Sequence, residues 1–263
     1  MAHTIPCNHG HKNLHAWDQT TQFELPTRLV DGRPFLVPVP QPLEGANASV
    51  SLCLTAKAAS TSIKLHVLQD LAARGVPLES DWRACPHGHP AFRGLDPAPV
   101  TSLMVVRHPS LRLASAYDEI RRRGFWHRLS GVVPPNASFA KLVDALERTP
   151  PRRLNAHLRP MWLTCGLFGG RRYAHVLKYE RWSELAKALR THVAPSQPPL
   201  EFRAAGALAR ANALYTPKLA KRVNAWARTD LALFGYAPWL PGEAVRWGPD
   251  ARQQAHDWLV NRR

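Results

Sequence analysis

The chain has 263 residues, enough for one large domain or two small ones with a buried core. Its 45% hydrophobic and 21% charged residues are ordinary for a globular protein, and no apolar run reaches membrane-spanning length. The formal net charge of +16 predicts a surface that attracts polyanions, whether nucleic acid, acidic lipid, acidic glycan or a phosphorylated cofactor.

Residues 1–48 are predicted to form an extended, irregular N-terminal arm, whose proline-punctuated segment at 34–42 fits only the edge of a sheet. Beyond the arm, strands and helices are predicted in this order: strand 49–55, helix 60–74, strand 101–106, helix 110–123, helix 138–148, strand 173–177, helix 181–191, and helical stretches near 216–232 and 250–261. This alternation predicts an α/β fold with a parallel sheet flanked by helices and a helical C-terminal part. We assign 49–240 to the main domain and 241–263 to a helical tail.

The four cysteines are Cys7, Cys53, Cys85 and Cys165, and they form no CxxC pair, which disfavours a structural zinc site. We expect Cys53 and Cys165 to be buried free thiols. Nothing in this pattern requires an oxidising compartment, and the N-terminus lacks the apolar segment of a signal peptide. The expectation is therefore a soluble, cytoplasmic protein.

The loop between the first predicted strand and helix reads Lys57-Ala58-Ala59-Ser60-Thr61-Ser62. A helix N-terminus offers unpaired backbone N–H groups and the positive end of the helix dipole, so it suits an anion. Lys57 adds a full positive charge, and the three hydroxyl side chains add donors. The loop therefore predicts a phosphate cradle. It is not a nucleotide triphosphatase loop, because GxxxxGK[ST] requires glycines and places them before the lysine.

The order Lys-Ala-Ala-Ser-Thr-Ser resembles the 5′-phosphosulfate loop of sulfotransferases that use 3′-phosphoadenosine 5′-phosphosulfate (PAPS). A second segment, Arg107-His108-Pro109-Ser110-Leu111-Arg112-Leu113-Ala114-Ser115-Ala116-Tyr117, is similar to that family's 3′-phosphate motif. The resemblance implies a P-loop-like sulfotransferase fold, in which the loop at 57–62 holds the phosphosulfate. Arg107, with two N–H groups, and Ser115, with its hydroxyl, would hold the 3′-phosphate. Arg112 is either structural or a charge on the substrate side.

Other segments are similar to the carbohydrate branch of that family: His157-Leu158-Arg159-Pro160, Lys178-Tyr179-Glu180 and the closing Asp230-Leu231-Ala232-Leu233-Phe234-Gly235-Tyr236. Within the branch, His87-Gly88-His89 resembles the His-Gly-His of uronosyl 2-O-sulfotransferases, including the heparan sulfate enzyme. The resemblance implies that His89 is the general base and that His87 orients the substrate. His157 is the alternative base. The implied cofactor is PAPS, its product is adenosine 3′,5′-bisphosphate, and no metal is required.

The expected activity is transfer of the sulfuryl group of PAPS to an acceptor hydroxyl, with a carbohydrate, including an acidic glycan, as the expected acceptor. Arginine runs at 121–123, 152–153 and 171–172 either line a groove for such a glycan or form solvated basic surface. The alternatives are a catalytically inactive sulfotransferase-like protein that binds polyanions and a nucleic-acid-binding module. The latter needs basic residues interleaved with aromatics on one face, and that pattern is not apparent.

Overall fold

The computed structural model describes residues 34–38, 49–73, 101–123, 133, 136–165, 167, 172–194 and 206–248. Its strands are β1 (Pro34–Pro38), β2 (Ser49–Leu54), β3 (Thr101–Val106) and β4 (His175–Lys178). Its helices are α1 (Ser60–Ala73), α2 (Pro109–Arg123), α3 (Phe139–Arg148), α4 (Trp182–His192), α5 (Ala207–Leu214), α6 (Pro217–Trp226) and α7 (Arg228–Phe234). Single 3-10 turns lie at Pro151–Arg153 and Met161–Leu163.

The described strands form one sheet in the order β1-β2-β3-β4. β2, β3 and β4 are parallel, whereas β1 pairs antiparallel with β2 at the edge. The predicted α/β fold with a parallel sheet flanked by helices is therefore confirmed, and so is the edge position of the proline-rich segment. The boundary predicted at residue 48 separates two strands of this one sheet. Because parallel strands end at the same edge, the residues after β2 and β3 come close together there.

The central strands β2 and β3 are covered on both faces, and their alternate side chains point to opposite sides. Leu52 and Leu103 pack with α1 and α4 on one face, and Met104 packs with Met161 and Phe234 of α7 on the other. Each such fully buried side chain contributes about 1.5–3 kcal/mol to folding by leaving water. The carboxyl ends of β2 and β3 are thus packed on both faces.

Cys53 and Cys165 are joined by a disulfide, with an S–S distance of 2.04 Å and a Cα–Cα distance of 5.8 Å. The expectation that both are free thiols is therefore wrong. Their burial was expected correctly, since neither residue is exposed to solvent. The bond joins β2 to the segment after Met161–Leu163 across 112 residues of sequence. Only folding brings the two sulfur atoms together, so the spacing of the cysteines did not predict their pairing.

A separate helical cluster packs around α2, and it includes the predicted stripe Leu113, Tyr117 and Ile120. The helix predicted from residue 138 begins one residue later, because the Ser138 side chain accepts a hydrogen bond from Lys141 N (3.3 Å) and acts as the N-cap.

The C-terminal helices differ in detail from the prediction. The stretch predicted at 216–232 is two helices, α6 and α7, which meet at Ala227. Helix α5 was not predicted, since Gly206 before it offers no side-chain cap. The helix predicted at 250–261 lies outside the described residues. None of the described helices has the length and apolar character needed to cross a membrane.

Candidate anion-binding site

The loop after β2 is tied to the neighbouring strand. Both the backbone N–H and the Oγ1 of Thr55 donate to the Val105 carbonyl, at 3.2 Å and 2.9 Å. The Ala58 N–H then donates to the Thr55 carbonyl at 3.1 Å, which closes a tight turn. The position of the loop is therefore set by β3, the strand that carries Arg107 at its end.

Two residues of this loop have left-handed backbone although neither is glycine. Lys57 has φ of 69° and Ala59 has φ of 60°. For residues with a Cβ this conformation costs about 1–2 kcal/mol each. Such strain persists only where the surrounding structure imposes it, and it is concentrated at ligand-binding and catalytic sites. Ala58 between them is fully buried and belongs to the core cluster that β2 and α1 share.

Helix α1 begins directly after this turn. Its first intrahelical hydrogen bond runs from Ile63 N to the Ala59 carbonyl, at 3.0 Å. Residues 60–62 form the first turn, where backbone N–H groups have no carbonyl of the same helix to bind and the dipole is positive. Ser60 is buried, whereas Thr61 and Ser62 are exposed. The predicted run of hydroxyl residues thus lies where a helix binds an anion best.

Arg107 lies at the end of β3 and is only 5% exposed. Its Nη1 donates to the Lys57 carbonyl at 2.9 Å, and its guanidinium lies 4.7 Å from the centre of the Tyr179 ring. Burial lowers the pKa of Arg107, but an arginine remains charged near neutral pH. Its Nε–H is buried and has no hydrogen-bond partner within the described ranges. The loop and a buried cation with an unmatched donor therefore share one site.

The residues behind Arg107 are locked by hydrogen bonds to Glu180. This half-buried carboxylate accepts from His108 N at 2.7 Å and from the Tyr236 hydroxyl at 2.8 Å. Burial raises the pKa of Glu180, and the two donors oppose that effect. Tyr179 supports the guanidinium from one side. The segments at 178–180 and 230–236 thus meet at Glu180, next to the end of β3 that is followed by Arg107.

Ser115 lies on α2, on the face that turns toward the loop. Asp118 and Glu119 follow it at i+3 and i+4, so the three residues share that face. The Lys57 ammonium contacts Glu119 Oε2, and Arg210 Nε of α5 lies 3.3 Å from Asp118 Oδ2. The structure therefore links Lys57 to Arg107 and to Glu119, and Arg210 to Asp118, with Ser115 on the α2 face that carries both carboxylates.

Arg112 is fully buried and connects the loop to a distant segment. Its Nε donates to the Ala56 carbonyl at 3.0 Å, and its Nη2 donates to the carbonyls of Ala156 (3.3 Å) and Arg159 (2.5 Å). Burial lowers the pKa of Arg112 to about 10, so it stays charged near neutral pH. Of the two roles that the sequence left open, these contacts support the structural one.

The charge of Arg112 is balanced by the buried Asp230. The two carboxylate oxygens accept from the backbone N–H groups of Met161 (2.9 Å) and Trp162 (2.8 Å). Burial raises the pKa of Asp230 to about 6, while those hydrogen bonds and Arg112 oppose the rise. Arg112 and Asp230 together hold the segment at 156–162 against the loop.

His157 lies within that segment, half-buried on a turn that begins at Asn155. Its backbone N–H donates to Asn155 Oδ1 at 2.9 Å. The two carbonyls that Arg112 binds in this segment belong to residues on either side of His157. The alternative base is therefore held by the same guanidinium that holds the loop.

The preferred base, His89, and its neighbour His87 lie outside the described residues. Of the basic runs, Arg121, Arg122, Arg152, Arg153 and Arg172 are exposed. No described contact joins these runs into a groove. Within the described ranges, no group of three His, Cys, Asp or Glu side chains is placed to hold a metal ion.

Sequence reasoning missed four residues at the site: Asp118, Glu119, Tyr179 as the support of Arg107, and Arg210. A signal existed for Asp118 and Glu119, since their spacing from Ser115 on a predicted helix puts them on its face. Arg210 carried no such signal, because its helix was not predicted.

Comparison with known proteins identified no relative: no family model, no curated protein and no solved structure matches this chain.

Proposed function

We propose that this protein is a sulfotransferase of the P-loop-like fold that uses PAPS and sulfates a hydroxyl of a carbohydrate acceptor. One observation carries the proposal: the buried Arg107 is bonded to the strained loop before α1 and keeps an unmatched Nε–H. A phosphate that met the Nε edge of this guanidinium would supply the missing acceptor. Satisfying such a buried donor is worth about 1–3 kcal/mol.

The residues fit a ligand with two separate phosphate groups. Lys57, the loop backbone and the first turn of α1 would hold a 5′-phosphosulfate, while Arg107 and Ser115 would hold a 3′-phosphate. Each group would meet its own full positive charge, and both cations lie in one site because Arg107 binds the Lys57 carbonyl at 2.9 Å. A ligand with one phosphate would occupy only one of these two positions.

PAPS, when bound, supplies an activated sulfuryl group. Lys57 and the N–H groups of the loop would stabilise the negative charge that develops on the departing phosphate oxygen. A histidine would remove the proton of the acceptor hydroxyl, since its pKa lies near neutral pH. His89 is our proposed base, with His87 orienting the substrate, and His157 is the alternative. If His89→Ala retained sulfate transfer in a single turnover while His157→Ala abolished it, the two roles would be reversed.

The first experiment is titration calorimetry with adenosine 3′,5′-bisphosphate. We expect Lys57→Ala and Arg107→Ala each to weaken binding by about 1.5–3 kcal/mol, the range for a charged hydrogen bond. Arg121→Ala is the matched control, because it removes the same charge from an exposed position. Unchanged affinity in both site variants would overturn the proposal.

The second experiment is incubation with labelled PAPS and a panel of glycans, glycolipids and small alcohols. Mass-spectrometric detection of a transferred sulfate would establish the activity. Binding of adenosine 3′,5′-bisphosphate without any transfer would favour the alternative, a catalytically inactive sulfotransferase-like protein. The net charge of +16 supports polyanion binding in either case, including binding to an acidic glycan.

A cytoplasmic location stays a prediction, and the Cys53–Cys165 disulfide counts against it. Disulfides form and persist in oxidising compartments and are rare where glutathione keeps thiols reduced. The bond therefore favours a protein that folds outside the reducing cytosol.

A further inference from the structure

Two cations at the site are each paired with a carboxylate from one face of α2. Glu119 contacts the Lys57 ammonium, and Asp118 lies 3.3 Å from Arg210 Nε. Both carboxylates follow Ser115 by about one turn of the helix, so they lie beside the group expected to bind a 3′-phosphate. An anion entering this space meets negative charge that is already in place.

The two ion pairs differ in their exposure to solvent. The side chains of Lys57 and Glu119 are 12% and 19% exposed, whereas those of Arg210 and Asp118 are 54% and 23% exposed. Attraction between charges is stronger where water is excluded, so the Lys57–Glu119 pair is the stronger of the two. Arg210 also lies close enough to Arg107 for its charge to help lower the pKa of that guanidinium.

We propose that Glu119 and Asp118 are built-in counter-ions that compete with the ligand and so determine which anions the site accepts. Glu119 competes with the group bound by the loop, and Asp118 competes with the group bound by Arg107, Ser115 and Arg210. This inference rests on the proposed function, because it assigns one phosphate of the ligand to each cation. It adds Arg210 to the groups that contact the 3′-phosphate.

The competition has a consequence for selectivity. Every phosphate that binds must displace one carboxylate, which reduces the net gain from that contact. A nucleotide with one phosphate then binds weakly. A nucleotide with two phosphates gains the net binding free energy of two contacts, but it loses its translational and rotational freedom only once. The two carboxylates would thus keep inorganic phosphate and mononucleotides out of the site.

The test measures how each carboxylate affects each phosphate position. Glu119→Gln and Asp118→Asn keep the shape of the side chain and remove its charge. Titration calorimetry at fixed ionic strength would use adenosine 5′-monophosphate, adenosine 3′-monophosphate and adenosine 3′,5′-bisphosphate. Glu147→Gln is the control, because Glu147 pairs with Arg222 between α3 and α6, and neither helix supplies a site residue.

We expect Glu119→Gln to tighten binding of the 5′-monophosphate about tenfold, or about 1.4 kcal/mol, and that of the 3′-monophosphate at most about twofold. Asp118→Asn should show the reverse preference with a smaller effect of about threefold, because its ion pair is more exposed. Both variants should tighten binding of the bisphosphate, and Glu147→Gln should change none of the three.

Equal changes for both mononucleotides would mean a general effect of net charge and would overturn the inference. No change in either variant would overturn it as well, and Glu119→Ala would serve as a second variant if Glu119→Gln failed to fold. These outcomes leave the proposed function intact as long as the unaltered protein binds the bisphosphate. Absence of that binding would overturn both.

Discussion

Arg107 and His108 are consecutive residues at the end of β3, and both are buried, yet their chemistry differs. Arg107 remains charged and has a donor without a partner among the described residues. His108 has both ring nitrogens engaged: Nδ1 accepts from Ser110 N at 3.2 Å, and Nε2 lies 3.1 Å from the Ala237 carbonyl. These contacts suit the neutral ring with its proton on Nε2. The first residue is therefore available to an anion, and the second is part of the scaffold.

Titration of His108 should make the folded state sensitive to acid. Burial lowers its pKa to about 4. The same ring in the unfolded chain has a pKa of about 6.5. As the pH falls from about 6.5 to about 4, only the unfolded chain takes up the proton, so the free energy of unfolding decreases over this window by about 3 kcal/mol.

We predict that His108→Asn removes this contribution. The difference in free energy of unfolding between the unaltered protein and the variant should shrink by about 3 kcal/mol from pH 7 to pH 4. Urea titrations at several pH values would measure it. Asp230, whose raised pKa acts with the opposite sign, is present in both proteins and cancels in the difference. A difference that did not vary with pH would contradict the prediction.

At the scale of single elements, α2 carries three functions on two sides, because Arg112 and Ser115 are three residues apart and share one side of the helix. Tyr117 and Ile120 pack into the helical cluster, and the Tyr117 hydroxyl donates to the Ala137 carbonyl at 3.0 Å. Ser115 and its acidic neighbours face the site. Arg112, one turn earlier, points inward and joins the loop to the segment at 156–162. A single helix thus determines the distance between the loop, Ser115 and His157.

We predict that Arg112→Met destabilises the protein by about 3–5 kcal/mol, because it leaves Asp230 as a buried charge without its partner. Arg112→Lys should recover only part of this loss, since an ammonium cannot reproduce the planar fork that binds three carbonyls. Chemical denaturation would measure both. Arg190→Met on α4 is the control and should stay within about 0.5 kcal/mol, as surface substitutions do. If Arg112→Met also cost no more than about 0.5 kcal/mol, the hydrogen bonds of Arg112 and its pairing with Asp230 would contribute nothing to stability.

At the scale of the whole molecule, distant segments meet through a few buried bonds. Arg112 joins residues 56 and 159, Glu180 joins His108 to Tyr236, and the disulfide joins β2 to residue 165. Each of these links connects a strand, or the residues directly after it, to a segment that follows far along the chain. The carboxyl edge of the sheet is therefore held from several directions.

We predict that loss of the Cys53–Cys165 disulfide costs about 2–4 kcal/mol, because the bond restricts the unfolded chain over a long loop. Urea denaturation with and without a reductant would measure this cost. The double variant Cys53→Ala/Cys165→Ala should have the lower stability and should not respond to reductant. Mass analysis after alkylation without reduction should leave both cysteines unmodified in the unaltered protein. Alkylation of both under denaturing, non-reducing conditions would show that the bond is absent.

Much of the fold could be predicted because it depends on local patterns. Hydrophobic periodicity and caps located β2, β3 and α1 to within a residue or two, and the prolines assigned β1 to an edge. The split between α6 and α7 was missed because Ala227 carries no helix-breaking signal. Helix α5 was missed because its alanine-rich sequence begins after a glycine that cannot cap it through a side chain.

The sequence by itself determined the α/β alternation, the position of the lysine-containing loop directly before α1 and the presence of an arginine at the next strand end. These properties depend on residues that are neighbours in the chain, so composition and spacing are enough to indicate them. Only the tertiary structure decided that Cys53 pairs with Cys165, that Arg112 joins the loop to the segment at 156–162 and that Glu119 pairs with Lys57. Each of these depends on a distance across the fold, and that distance is set when buried residues from remote segments pack together.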